Sequence, residues 1–259
     1  MNYTSGWFES AQKVIMGVLA EARPELLKFH GNITHELKAD RSIVTRLDKE
    51  LEIKIKDALK KYDGGVGFLG EEYGREGNEK SYWLVDPIDG TEHFTRGLPG
   101  ARNLLTFIDK NQPQYALAYR FPTDDLFTAI AGRGTTKNGQ KVTLSQRPLD
   151  RAWLEFSVNM RLSDGYAIYQ KLRPKIAGIT IHRDFLEILE GALEGIVVYK
   201  SAGQVWDYAP RALLIKEAGG KVTNFGKPDY DINDLSLVAV APSIYEDLVS
   251  LLETVKVEA

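Results

Sequence analysis

A layered fold of the α/β class is predicted by three features of the sequence. Apolar residues recur at helical spacing in two segments before residue 62. Short apolar runs bounded by Gly, Asn and Asp clusters follow, from residue 66 to 142. Beyond residue 153, strand-like and helix-like segments alternate, which is typical of layered α/β architecture.

The first elements are predicted to be two amphipathic helices. In the first helix, apolar residues from Trp7 to Ala22 recur on one face, and Pro24 predicts its end. The second helix is predicted over residues 48–61, where the Asp63-Gly64-Gly65 cluster stops it. Strands are then predicted over residues 66–69, 82–85, 103–108 and 114–121.

The remaining elements include a hairpin over residues 126–142, because Asn138-Gly139 is a favoured hairpin turn. Further strands are predicted over residues 154–158, 179–182, 196–199, 221–224 and 235–241. Further helices are predicted over residues 164–172, 184–193 and 207–218 and from Pro242 onward. Residues 147–150 form the expected seam between an N-terminal half, 1–148, and a C-terminal half, 149–259, of one compact unit.

Composition restricts the function. The 259 residues are 43% hydrophobic without a tract of about 18 apolar residues, which predicts a soluble chain that does not enter a membrane. A net charge of -3 leaves no basic surface for nucleic acid. The first residues lack the pattern of a secretory signal, so a cytoplasmic location is expected. The absence of cysteine leaves carboxylates, hydroxyls and four histidines for chemistry.

The run Asp86-Pro87-Ile88-Asp89-Gly90-Thr91 is the main candidate site. Pro87 biases Asp86 toward extended backbone, so the strand is expected to end there and both aspartates can converge. Their carboxylates and the Ile88 carbonyl are ligands that Mg²⁺ prefers. Gly90 allows close approach to the backbone, and Thr91 would begin a helix suited to phosphate.

The same six residues also form a typical turn followed by a helix cap, and that interpretation stays open for the motif alone. An EF-hand calcium loop fits worse, because Gly97 stands where a bidentate glutamate is needed. Residues 65–70 match GxGxxG but follow a predicted helix, and residues 134–141 resemble a P-loop with Gln140 in place of lysine. Zinc is not favoured, since no histidine pair has HExxH spacing.

Three further acids can join the motif, although each has a simpler structural explanation. Glu71 follows a predicted strand and can project toward Asp86, or it can belong to a solvated loop. Asp48 and Asp207 each stand at the start of a predicted helix, where an aspartate is a common cap. Their chain order, together with Glu217-Ala-Gly-Gly220, favours a shared site.

In this order the motifs resemble the inositol monophosphatase and fructose-1,6-bisphosphatase superfamily, from about residue 43 to residue 241. The resemblance implies a five-layered αβαβα sandwich with its site between the two halves. By the same resemblance, Glu71, Asp86 and the Ile88 carbonyl would hold one Mg²⁺, and Asp86, Asp89 and Asp207 a second. A weaker third ion would lie beside Glu71.

The resemblance also implies a mechanism. A metal-activated water, oriented by Thr91 and Glu71, would attack phosphorus, and Asp48 would hold Thr91 by a hydrogen bond. The substrate phosphate would bind near Gly90, Thr91 and Asp89. Lithium inhibition and a homodimer are expected for the same reason.

Two positions depart from the family pattern on the substrate side. Lys200 stands where inositol monophosphatases have a glutamate, and Arg183 lies in the segment that replaces a Gly-Ser-Ala-Ala-Leu-like stretch. Both cations suit a second anionic group, although Lys200 can equally be a solvated residue at a strand end. Inositol 1-phosphate and fructose 1,6-bisphosphate are the expected substrates. A 3'-phosphoadenosine 5'-phosphate phosphatase and a non-catalytic metabolite-binding protein are the alternatives.

Overall fold

The computed structural model describes residues 3–39, 42–181 and 184–255. Within these residues it contains seven α-helices and fifteen strands, which confirms the mixed α/β class. The helices are α1(Ser5–Phe29), α2(Arg46–Tyr62), α3(Thr91–Arg96), α4(Ser163–Leu172), α5(Leu186–Leu189), α6(Val205–Glu217) and α7(Tyr245–Glu253). The strands are β1(Glu36–Leu37), β2(Ile43–Val44), β3(Gly67–Gly70), β4(Gly74–Glu76), β5(Ser81–Asp89), β6(Arg102–Asp109), β7(Gln112–Arg120), β8(Asp125–Ile130), β9(Gly134–Lys137), β10(Gln140–Lys141), β11(Trp153–Val158), β12(Gly178–Thr180), β13(Gly195–Tyr199), β14(Lys221–Thr223) and β15(Leu237–Val240).

Among the residues that the structure describes, none forms a helix long and apolar enough to cross a membrane.

The chain divides into two compact units, Met1–Ala131 and Gly132–Ala259. This boundary lies earlier than the seam expected at residues 147–150. The boundary precedes strand β9 because hydrogen bonds join this strand to helix α6, so both belong to the second unit. Thr135 donates its hydroxyl to the Leu214 carbonyl at 2.6 Å, and the Gly134 N–H donates to the Glu217 carboxylate at 3.0 Å.

The first unit is a sheet covered on one face by two helices. Six of its strands lie in the order β8-β7-β6-β5-β3-β4, and β3 and β5 run parallel while the other neighbours are antiparallel. Helices α1 and α2 bury their apolar faces on this sheet, around Trp83 and Phe107. Burial of these side chains supplies the main stabilising free energy of the unit.

Helix α1 is longer than the sequence predicts. The expected end at Pro24 is wrong, because the helix continues through this proline to Phe29. A proline within a helix loses one backbone hydrogen bond. Here Leu26, in the turn that follows, is buried in the core, and the resulting gain offsets that loss.

The second unit contains a five-stranded sheet in the order β12-β11-β13-β15-β14. Strands β11, β12 and β13 are parallel, whereas β15 is antiparallel to both of its neighbours. Helices α4 and α7 pack on one face, through Ile168 and Leu248, and α6 packs on strands β14 and β15. The helix expected over residues 184–193 is reduced to the single turn α5.

Candidate metal centre

Asp86 and Asp89 lie together in the last part of strand β5. The strand does not end at Asp86 as expected, because a bulge between these two residues carries the pairing with β6 onward to Asp89. Each aspartate offers a carboxylate oxygen within 4.8 Å of the other, and the two residues are only 2% and 6% exposed. Two buried carboxylates this close repel each other unless positive charge is near.

The turn after β5 is held by side chains as well as by backbone. Asn103 of β6 donates its amide to the Pro87 carbonyl at 2.5 Å. Gly90 adopts φ +80°, and a Cβ there would lie 2.9 Å from the Gly100 carbonyl oxygen, so only glycine fits. Helix α3 begins at Thr91 and has six residues. The expected helix start is confirmed, although it is a short one.

Thr91 and Asp48 are joined by the expected hydrogen bond. The Thr91 hydroxyl lies 3.2 Å from Asp48 Oδ1 and 2.9 Å from the Ile88 carbonyl oxygen. It has one proton for these two acceptors. Asp48 Oδ2 accepts the backbone N–H and the hydroxyl of Thr45 at 2.8 and 2.5 Å, in a capping box at the start of α2. Burial raises the pKa of the Asp48 carboxyl to about 6, against the hydrogen bonds from Thr45 and Thr91.

Glu71 follows strand β3 and is positioned by its backbone. Its N–H donates to the Val85 carbonyl at 3.1 Å, one residue before Asp86. Burial raises the pKa of Glu71, whereas hydrogen bonds with Lys38 and Asp86 lower it. The Lys38 ammonium lies 2.8 Å from a carboxylate oxygen of both Glu71 and Glu72. Glu71 and Glu72 therefore already attract one positively charged side chain, that of Lys38.

Glu52 supports the loop that presents Glu71. It has 0% exposure on helix α2, and its carboxylate accepts the backbone N–H groups of Glu72 and Tyr73 at 2.8 and 2.9 Å. Sequence reasoning missed this residue and Lys38. The available signal for Glu52 was its place between Leu51 and Ile55, on the face of α2 that packs into the core.

Arg102 is a third residue that sequence reasoning missed. It begins strand β6, and its Nε and Nη2 atoms each lie 2.6 Å from Asp89 Oδ2. The predicted ligand Asp89 is thus half of a buried ion pair.

The remaining predicted residues belong to the second unit. Asp207 is the third residue of α6, and its carboxylate accepts the Gln204 N–H at 2.6 Å in a second capping box. Lys200 follows β13 with φ +45°, and its ammonium lies 3.0 Å from Asp164 Oδ2, which also accepts the Tyr199 hydroxyl. Arg183 lies outside the described residues.

The donor set of the first unit fits a hard divalent cation. Every predicted ligand there is a carboxylate or carbonyl oxygen, as Mg²⁺ requires. The carboxylates of Asp86 and Asp89 are close enough to need positive charge, which Arg102 partly supplies, and Lys38 pairs with Glu71. The arrangement can therefore bind a cation.

Comparison with known proteins agrees with the family that the sequence motifs resemble. Residues 7–256 match the model of the inositol monophosphatase family. An inositol-1-monophosphatase of Caulobacter vibrioides is 31% identical over 246 residues, 86% of this chain and 90% of that protein. A fructose-1,6-bisphosphatase/inositol-1-monophosphatase of Aquifex aeolicus is 26% identical, over 77% of this chain and 78% of that protein.

Solved structures show the same fold. The extragenic suppressor protein suhB from Bartonella henselae superposes with a TM-score of 0.84 at 24% identity, covering 95% of this chain and 99% of that one. At this identity the likeness establishes the fold and leaves the substrate open.

Proposed function

Because the chain belongs to the inositol monophosphatase family, we propose that it is a Mg²⁺-dependent phosphomonoesterase of small phosphorylated polyols or sugars. The observation that carries this proposal is the buried pair Asp86 and Asp89 beside the hydrogen-bonded pair Thr91 and Asp48. A turn and helix cap alone would not require two buried carboxylates within 4.8 Å of each other.

The proposed ligands follow the resemblance. Glu71, Asp86 and the Ile88 carbonyl would hold one ion, and Asp86, Asp89 and Asp207 a second, with a weaker third beside Glu71. For the first ion, Lys38 would have to leave Glu71. The chemistry that Mg²⁺ supplies when bound is positive charge beside the phosphate oxygens and a lower pKa for water.

Thr91 and Asp48 would together take up the proton that the attacking water releases. The Thr91 oxygen can take up the proton that this water loses while the original Thr91 proton passes to Asp48 Oδ1, so that the hydroxyl is preserved and Asp48 ends protonated. The raised pKa of Asp48, about 6, suits a group that gains and loses a proton near neutral pH. The N–H groups of Gly90 and Thr91 would bind phosphate oxygens directly, and α3, with six residues, adds little dipole.

Lys200 is proposed to select the substrate. Its ammonium lies beside Asp164, and 42% of the side chain is exposed. The ammonium can therefore bind a second anionic group while it keeps its contact with Asp164. This favours a bisphosphate such as fructose 1,6-bisphosphate over inositol 1-phosphate, with 3'-phosphoadenosine 5'-phosphate as the alternative. Arg183 is proposed for the same role from its sequence position alone.

The test is phosphate release from these three compounds with Mg²⁺, with and without Li⁺. We expect turnover of at least one compound, inhibited by Li⁺. Negligible turnover of all three would contradict the proposed substrate class and favour a non-catalytic metabolite-binding protein. A homodimer is proposed from the resemblance, and its mass in solution would be measured by light scattering.

A further inference from the structure

Arg102 and Asp89 form a buried ion pair next to the proposed metal ligands. The two residues lie opposite each other in the register of β5 and β6. Nε and Nη2 of Arg102 are both 2.6 Å from the same oxygen, Asp89 Oδ2. The Arg102 side chain is 0% exposed and that of Asp89 is 7% exposed. Solvent and salt therefore screen this pair weakly.

Two positively charged side chains thus lie beside acids of the first unit, and they differ in how far each can move. Lys38 lies between the short strands β1 and β2 with 23% of its side chain exposed, so its ammonium can move toward water. Arg102 lies on β6, between β5 and β7, with its guanidinium enclosed. Moving it away would break two short contacts with a buried carboxylate, which is strongly unfavourable. Arg102 therefore stays beside Asp89.

We propose that Arg102 is a positioning residue that fixes the Asp89 carboxylate and lowers the affinity of this acid cluster for divalent cations. The inference rests on the proposed function, because Asp89 affects an ion only if the cluster is a metal site. Arg102 offsets the negative charge of Asp89 and repels any cation that approaches the same carboxylate. At an effective permittivity of about 20, such repulsion over a few ångströms weakens binding by roughly ten-fold or more.

A consequence for folding follows from the same charges. Arg102 neutralises one buried carboxylate permanently, so the chain can bring Asp86 and Asp89 together at low cation concentration. As a result, the acid cluster needs a higher Mg²⁺ concentration to bind its ions. Without the arginine, stability should depend on divalent ions much more steeply.

The experiment measures ion binding without substrate. Mn²⁺ is titrated into the full-length protein, and free Mn²⁺ is followed by its EPR signal. Arg102→Met removes both charge and hydrogen bonds, Arg102→Gln keeps a hydrogen-bond donor without charge, and Arg102→Lys keeps the charge. We expect Mn²⁺ to bind at least roughly ten-fold more tightly to the Met and Gln variants, and the Lys variant to resemble the unchanged protein.

Thermal unfolding in EDTA and in Mg²⁺ gives a second readout. The Met and Gln variants should be less stable in EDTA and gain more from Mg²⁺ than the unchanged protein. The matched control is Arg120→Met, which breaks the ion pair of Arg120 with Asp125 in the same unit and should leave Mn²⁺ affinity unchanged. If the Met variant does not fold, the Gln variant still separates charge from hydrogen bonding.

Equal or weaker Mn²⁺ binding in the Gln variant would overturn the inference. In that case, phosphate release by the unchanged protein would leave the proposed function standing. Failure of the proposed function would instead appear as an absence of turnover in the unchanged protein, whatever the ion titration shows.

Discussion

The hydroxyl of Thr91 lies 3.2 Å from Oδ1 of Asp48, which joins the first residue of α3 to the third residue of α2. Asp48 is fixed in turn by two hydrogen bonds from Thr45. The orientation of the Thr91 hydroxyl is therefore set by the protein interior, and this arrangement places a potential proton acceptor beside the proposed phosphate site.

Replacing Thr91 by Val removes the hydroxyl at nearly constant volume. We expect kcat to fall by roughly 10² to 10⁴, the usual contribution of a positioned proton-transfer group. Thr91→Ser keeps the hydroxyl and should retain most of the activity. The measurement is Mg²⁺-dependent phosphate release. Equal activity of the Val and Ser variants would contradict a proton-transfer role.

The Asp48 carboxyl predicts a pH dependence. Because burial raises its pKa to about 6, this group loses its proton only as the pH rises through that value. It can accept a proton from Thr91 only when ionised, so kcat should decline as the pH falls through about 6. The measurement is kcat between about pH 5 and pH 8. Asp48→Asn should lower kcat and lose this decline, and a decline that survives in the variant would assign it to another group.

Glu52→Gln tests the support of the Glu71 loop. A glutamine offers one carbonyl oxygen where the carboxylate accepts two backbone N–H groups, from Glu72 and Tyr73. We expect a loss of about 1–3 kcal/mol in the free energy of unfolding. Urea denaturation measures this loss. The control is Glu50→Gln on the same helix, whose side chain is 50% exposed and which should change stability by less than about 0.5 kcal/mol. Similar losses in the two variants would contradict the supporting role.

Lys200→Ala tests substrate selection. Removal of the ammonium should raise KM for a bisphosphate roughly ten-fold, the effect of about 1.4 kcal/mol, and change KM for a monophosphate little. Lys221→Ala, at an exposed position in the same unit, is the control. An equal effect of Lys200→Ala on both substrates would show that Lys200 does not contact a second anionic group.

Much of the fold could be predicted because its signals are local. Helix α2 and the turn at Asn138-Gly139 agree with apolar spacing and turn chemistry, and both turn residues adopt positive φ. The predictions failed where tertiary contacts override local preference. Helix α1 passes Pro24 because Leu26 is buried, and β5 passes Pro87 because a bulge accommodates it.

The sequence predicted the acidic residues of the candidate site but not its basic residues. The motif at residues 86–91 indicates carboxylates, whereas Arg102 reaches Asp89 through strand pairing that spacing along the chain does not reveal. Lys38 contacts Glu71 across 33 residues of chain, which spacing does not reveal either. Arg102 also predicts the effect of Asp89→Asn on folding. That substitution would remove the carboxylate charge that the buried Arg102 guanidinium contacts, at a cost of about 3–5 kcal/mol.

Asp86→Asn therefore tests the central claim most directly, because Asp86 is the proposed ligand of both ions. The measurement is Mg²⁺-dependent phosphate release on protein whose folding is verified by circular dichroism. Asp109→Asn, on the neighbouring strand β6 and bonded to Ser81, is the control. We predict a loss of at least about 10³ in kcat for Asp86→Asn and near-normal activity for the control. Unchanged activity of a folded Asp86→Asn protein would contradict the metal-dependent phosphatase centre.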